Sequence, residues 1–259
     1  MKKLGWIFFT FVFAAGLLAQ TDNTYVPPRI RVLVITKTNG FRHKSIPAAL
    51  NALVEIAQQA KWGVTSTEDT SLVTPEFLQH FDVIVFLMTT RTIFNASEHA
   101  AIEHAVEGGT GLVTLHTGAD TEYHWPWYNH ALGAKFLGHP PVQPARLIIE
   151  DRSNPATAVL PPGDWKYSDE WYSFDRDPRP NVHVLISIDE SSYNTKYNPW
   201  FPKVKLPMGD HPLVWTSQAG KGRIFQSALG HTDEFWQLPL DRAYIRGAVE
   251  WAAGAAKGD

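Results

Sequence analysis

The sequence contains no cysteine in 259 residues. That excludes disulfides, a lipid-modified N-terminal cysteine, a thiol nucleophile and a thiolate zinc site, so stability must come from a conventional core. Charge of one sign is also lacking. A net charge of −3 at pH 7 leaves no electrostatic footprint for nucleic acid or an anionic membrane as a partner. A long hydrophobic run is missing too. Leu4 to Leu18 is almost wholly apolar, but it is shorter than the roughly 20 residues a spanning helix needs. Lys2 and Lys3 precede it and the small residues Ala14, Ala15, Gly16 and Ala19 close it. That is the layout of a secretory signal peptide over residues 1–19, although Leu17 is bulky for its place before the cut. The expectation is an exported protein, periplasmic or secreted after cleavage, with no stable membrane anchor. No repeat or low-complexity linker divides the remainder, so residues 29–256 read as one domain with an elaborated second half.

What the chain has in quantity is tryptophan (10) and histidine (11). Its first half alternates short β-branched runs with helical spacing. Ile30 to Ile35 reads as a buried strand, and a helix opened by Pro47 carries Leu50, Leu53, Val54 and Ala57. Val64 to Thr67 and Asp82 to Leu87 are further strands, with a helical turn at Pro75 to His80 between them. A helix capped by Asn95 or Ser97 runs to Gly108-Gly109, and Gly111 to His116 is a fourth strand. This alternation predicts parallel strands with right-handed crossovers, and the apolar strands predict helices on both faces. In the second half, strands are expected at Ala145 to Glu150, His183 to Ile188, Leu213 to Thr216 and Arg223 to Leu229. A closing helix is expected at Leu238 to Ala253, and Tyr193 to Met208 reads as a long surface loop.

Ligands of such sheets sit at the carboxyl ends of the strands, which points to the loops after Ile35, Leu87 and Leu115. Those loops and later turns carry titratable side chains beside turn residues: Arg42 and His43; Thr89; His116, Asp120 and Glu122; His139; Asp169 and Glu170; His211; and His231 with Glu234. His80, His99 and His104 read as ordinary surface or core residues. The fold is expected to gather His43, His116, His139, His211 and His231 at one rim, where imidazoles exchange protons near neutrality.

The segments Val34 to Pro47, His116 to Tyr128, Gly138-His139-Pro140, Asp169-Glu170-Trp171-Tyr172, Asp210-His211-Pro212 and Ala228 to Glu234 together resemble the ThuA-like (trehalose utilisation) family. The match runs from about Arg31 to Gly254. The resemblance implies an α/β, flavodoxin-like three-layer sandwich with a mostly parallel sheet, similar to class I glutamine amidotransferases. In that superfamily one strand ends in a cysteine nucleophile and a later one in a histidine closely followed by a glutamate. Here the equivalent positions look like His116, His231 and Glu234. With no thiolate, glutamine hydrolysis is rejected whatever the fold.

The resemblance also implies work on disaccharides and their 3-keto derivatives, by proton abstraction and cleavage. On that reading His116 and His231 are the base and acid, with Asp120, Glu122 or Glu234 as orienting carboxylates. Arg42 or a bound cation faces the enolate oxygen. His43, Thr89, His139, Glu170 and His211 complete the substrate contacts, and Trp125, Trp127 and Trp171 either stack on sugar rings or pack in the core. A divalent metal (zinc, manganese or iron) is a candidate cofactor, since imidazoles with Asp or Glu suit these ions, though no His-Glu-x-x-His pattern occurs. Two other readings stand beside this one. One is an ordinary glycoside hydrolase pairing Asp169 or Glu170 with Glu234; the other is a non-catalytic sugar-binding protein of the envelope. The expected partner is a small carbohydrate, and a homo-oligomer stays open.

Overall fold

Four short strands set the frame. They are β1 (Arg31–Ile35), β2 (Gly63–Thr67), β3 (Val83–Leu87) and β4 (Gly111–Leu115). Three run through the interior, every residue of β3 and β4 being buried, and β2 lies at the partly exposed edge. A computed structural model describes residues 27–254, so the expected signal peptide at 1–19 lies outside the described residues. β1 pairs in parallel with both β2 and β3, and β3 with β4. The crossovers are α1 (Ile46–Ala60), α2 (Pro75–Leu78) and α3 (Ala96–Gly108). Asn95, not Ser97, caps α3: its side chain accepts from Ser97 and Glu98 N–H while Glu98 reaches back to the Asn95 N–H. Such a reciprocal box satisfies donors that a helix start otherwise leaves open.

The second half adds α4 (Pro126–Leu132), β5 (Phe136–Gly138), β6 (Gln143–Ile149), α5 (Pro155–Ala158), β7 (Trp165–Asp169), β8 (Ser173–Phe174) and β9 (His183–Ile188). After these come β10 (Pro212–Ala219), β11 (Gly222–Ser227), α6 (Asp233–Gln237) and α7 (Pro239–Ala252). One nine-stranded sheet runs through both halves in the order β2-β1-β3-β4-β11-β10-β9-β6-β7. β11 joins β4 in parallel, and each later neighbour pair is antiparallel. Only β10 and β6 therefore run against the rest, and β7 ends at the same edge as β1, β4 and β11.

β5, β7 and β8 escape the sequence reading. β5 and β8 form a separate two-stranded ribbon of three and two residues. β7 alternates buried Trp165 and Asp169 with exposed Lys166 and Ser168, the pattern of an edge strand with one covered face. It folds back on the helices, its Trp165 ring against Tyr244 of α7 and its Tyr167 ring against Phe235 of α6. The two helical layers lie very near the sheet. A Cβ on Gly111 would strike the Ala252 carbonyl of α7, and one on Gly222 would strike Val106 of α3.

Candidate functional site

β4 ends in an unusual turn. His116 adopts φ 60°, ψ −89°, a left-handed conformation that bulky residues rarely hold without compensation. Its N–H donates to the Ser227 carbonyl on β11 at 2.7 Å. Its Nδ1 lies 2.9 Å from the Ala228 carbonyl, so it carries the proton and leaves the Nε2 lone pair facing inward. A single turn of 3-10 helix follows, Thr117 to Asp120. Gly118 permits it, since a Cβ there would overlap the Thr114 side chain.

Three further loops meet His116 Nε2. His43 Nε2, from the loop after β1, is 3.1 Å away. His231 Nδ1, from the loop after β11, is at 3.2 Å, and the Tyr172 hydroxyl is also at 3.2 Å. Glu170, just past the end of β7, places Oε2 at 3.5 Å from His116 and at 3.2 Å from His231 Nδ1. Its Oε1 is 3.0 Å from His139 Nδ1.

Two contacts tie these loops together. Ser45 donates to the His231 carbonyl at 2.7 Å. Asp169, fully buried, accepts from the backbone N–H groups of Glu170 (2.9 Å), Gly230 (2.7 Å) and His231 (3.1 Å).

Burial and charge set the protonation pattern. His43 is pushed down to about 2, first by burial and then by the charges of His116 and His231. Burial alone would lower His231, but the Glu170 carboxylate outweighs it and raises the imidazole above its ordinary value. Burial likewise opposes ionisation of Glu170, yet hydrogen bonds to His116 and His231 hold it well below the usual carboxylate range. Asp120 is raised by burial, against the Tyr123 hydroxyl at 2.5 Å and Arg91 at 3.7 Å.

His43, His231, Glu170, Asp120, His139 and Tyr172 open onto a cavity of about 460 Å³ walled by Phe41, Phe136, Val142, Trp200 and Phe201. His116 is fully buried beneath them. That placement changes its expected part: it meets the other polar groups, not the cavity.

Several expected site residues lie elsewhere. The carboxylate beside His231 is Glu170, because the first turn of α6 turns Glu234 out to solvent. Arg42 is exposed and paired with Glu68 at 2.6 Å; the cation on the cavity is Arg91. Thr89 is sealed against Thr121. Glu122 points inward and accepts from Ile93 and Phe94 N–H, with His99 Nε2 at 2.9 Å. His211 lies behind the cavity, its Nε2–H donating to the Tyr172 carbonyl and its Nδ1 2.8 Å from Glu190. Of the two readings of the tryptophans, Trp125, Trp127 and Trp171 follow core packing. Trp125 is stacked on His99 and Tyr128, Trp127 donates to Glu107, and Trp171 is fully buried and donates to the Gln143 carbonyl.

Two of the aromatic walls come from the loop read as surface, beside Phe41 and Phe136. Trp200, more than half exposed, has its ring centroid 5.3 Å from that of His139, and Phe201 lies 5.0 Å from the same ring. Pro199-Trp200-Phe201-Pro202 was the available signal, two large aromatics in a segment with no core to fill. Tyr172 was also legible: after β7 the two-residue alternation sets Glu170 and Tyr172 on one side and Trp171 on the other.

The arrangement is a mixed α/β fold of the glutamine amidotransferase-like class, a large, mostly parallel central sheet with flanking helices and a histidine cluster at its strand ends. The chain belongs to the ThuA family, described as trehalose utilisation, whose model matches residues 31–252. It is similar to a ThuA-like protein of Bacteroides uniformis, at 24% identity, covering 90% of this chain and 94% of that one with a TM-score of 0.73. A ThuA-like protein of Parabacteroides merdae is similar at 20% identity, 90% and 92% coverage and a TM-score of 0.66. A β-galactosidase of Bacillus circulans sp. alkalophilus shares the fold over 87% of this chain and 31% of its own, at 12% identity and a TM-score of 0.53. No curated protein matches the sequence.

Proposed function

We propose that this chain is a carbohydrate-processing enzyme acting on sugars oxidised at carbon 3, taking the carbon-2 proton and releasing the substituent at carbon 1. The observation that carries this reading is one aromatic-walled cavity that presents the buried Asp120 carboxyl and the His43–His231–Glu170 cluster together. The family description, trehalose utilisation, supports a sugar as the substrate class.

A carbonyl at carbon 3 acidifies the proton on carbon 2. Asp120, its proton affinity raised by burial, accepts that proton. The C–H electron pair forms an enolate whose charge rests on the former carbonyl oxygen. His231, its pKa raised by the Glu170 carboxylate, donates a hydrogen bond to that oxygen. The enolate then reforms the carbonyl, a double bond forms between carbons 1 and 2, and the glycosidic oxygen leaves with its bonding pair. Asp120 returns the proton to it. The products are the free alcohol and an unsaturated 3-keto sugar; water added across the new double bond completes a net hydrolysis. Phe136, Trp200 and Phe201 offer apolar faces to the C–H side of a sugar ring. On this reading the chain works outside the cytoplasm, after removal of residues 1–19.

The test is release of the carbon-1 alcohol from a 3-keto-glycoside and from its unoxidised parent. Release from the keto substrate alone, abolished in Asp120→Asn and His231→Ala, is the expected result. Release from the parent at a comparable rate would transfer the case to an ordinary glycosidase. Binding of both sugars without release from either would leave a sugar-binding protein.

A further inference from the structure

We infer that His43, His116, His231 and Glu170 are the ligand set of a first-row divalent transition-metal ion, with zinc the best-suited occupant. The spacing is the first reason. Zinc bound by imidazole and carboxylate at about 2.1 Å in a tetrahedral shell requires neighbouring ligand atoms roughly 3.4 Å apart. Around His116 Nε2 the distances are 3.1 Å to His43 and 3.2 Å to His231, and Glu170 Oε2 lies 3.5 Å from His116 and 3.2 Å from His231. One ligand atom from each of the four residues lies within 4.8 Å of every other.

Hydrogen-bond accounting is the second reason. The proton on His116 Nδ1 is committed to the Ala228 carbonyl, so Nε2 presents a single lone pair. Three groups crowd that lone pair: His43 Nε2, His231 Nδ1 and the Tyr172 hydroxyl. If His43 carries its proton on Nε2, it competes with the other two, and its own Nδ1 is buried with no partner. If the proton sits on Nδ1, two nitrogen lone pairs face each other at 3.1 Å. Neither placement satisfies this buried group, and such exceptions call for a cause. A cation at the centre converts the opposed lone pairs into ligands.

Support around the cluster is the third. A metal-bound imidazole ordinarily donates its outer N–H to a carbonyl or carboxylate, which fixes its tautomer; His116 does so to Ala228. Asp169 clamps the backbone of both Glu170 and His231 from behind. Three imidazoles and one carboxylate suit zinc, iron or manganese better than calcium or magnesium, which prefer oxygen shells. His231 is a quarter exposed to the cavity while His116 is fully enclosed, so the ion would sit at the cavity floor within reach of a substrate oxygen.

Metal binding here does not depend on the sugar chemistry proposed above, and its readout is metal content rather than turnover. The full mature chain, stripped with chelator and dialysed, is titrated with Zn²⁺, Mn²⁺ and Co²⁺ and its metal content measured by mass spectrometry. One equivalent per chain is expected, with a visible absorption band for the cobalt form of a low-coordinate imidazole site. His116→Ala and Glu170→Gln are each expected to weaken binding at least about a hundredfold, beyond the effect of losing an outer-sphere partner. Glu170→Gln keeps the shape of the side chain and so covers the case in which His116→Ala fails to fold. His104→Gln, on an exposed histidine, is expected to leave binding unchanged. No stoichiometric uptake of any of the three ions by the native chain overturns the assignment. So does uptake retained by a folded His116→Ala or Glu170→Gln variant, which would place the ion on surface histidines. Turnover of a 3-keto-glycoside by metal-free protein leaves the reaction standing without the ion; a bound ion with no turnover leaves the reverse.

Discussion

Asp169→Asn isolates the clamp that brings β7 to β11. The carboxylate is fully buried and accepts three backbone N–H groups: Oδ1 takes Glu170 and His231, and Oδ2 takes Gly230. Asparagine keeps the shape but has one acceptor oxygen. With that oxygen at Oδ1, its NH₂ group is turned against the Gly230 N–H, leaving a buried donor facing a donor. A hydrogen bond to a charged group contributes about 1.5–3 kcal/mol and an unsatisfied buried donor costs about 1–3 kcal/mol. Part is offset, because burial already raises the Asp169 pKa and a neutral amide is easier to bury. A net loss of about 2–4 kcal/mol is expected, read as a lowered urea midpoint at unchanged slope. Because Glu170 and His231 both hang on this clamp, turnover of a keto-glycoside is expected to fall more than substrate affinity. A midpoint equivalent to within about 0.5 kcal/mol of the parent, the range of ordinary surface changes, would refute the clamp.

Three other outcomes follow from different parts of the molecule. Asp241, 1% exposed with Oδ1 unpartnered, has its pKa raised from 3.8 to about 7, by burial first and then by the charge of Asp169. The folded chain therefore binds more protons than the unfolded chain between those values, so stability falls as pH rises from about 4 to 7. Asp241→Asn should remove that slope and be the more stable form at pH 8 by on the order of 2–4 kcal/mol; comparing urea midpoints at pH 5 and pH 8 checks it, and an unchanged slope contradicts it. Trp200→Ala removes an exposed wall of the cavity; sugar affinity should drop with the melting temperature unaltered, as binding and melting curves would record. Expression of the 259-residue chain in a Gram-negative host, followed by intact mass, should give a chain shortened by residues 1–19; an unshortened chain would count against export.

The strands β1, β3 and β4 were readable because each is a short apolar run buried on both sides. The alternating β7 was not, since a polar residue at every second position hides a strand whose inner face packs on helices. Histidines divided by the same logic. His43, His116 and His231 follow strands that end at one edge, and the topology alone brings them together. His211 shares the motif-like setting Asp-His-Pro but precedes β10, a strand that runs the other way, so it lies behind the site. Tryptophan content left two readings open, and the interior decides between them: Trp125 and Trp171 have apolar room there, with Glu103 and the Gln143 carbonyl for their N–H groups. Two of the aromatics that line the cavity, Trp200 and Phe201, sit in a loop whose composition gave no periodicity to read.

The backbone at His116 separates this site from the acyl-transfer chemistry of its fold class. A strained turn after a central strand costs on the order of 1–3 kcal/mol, here offset by the bonds to Ser227 and Ala228. The same turn holds an imidazole that is wholly enclosed, with His43, His231 and Glu170 between it and the cavity. A group so placed cannot attack a substrate atom. It can fix the positions and charges of the three groups above it, and its lone pair is directed at their common centre. The strained turn therefore directs the His116 Nε2 lone pair inward, while the groups that face the cavity are Asp120, His231, Trp200 and Phe201.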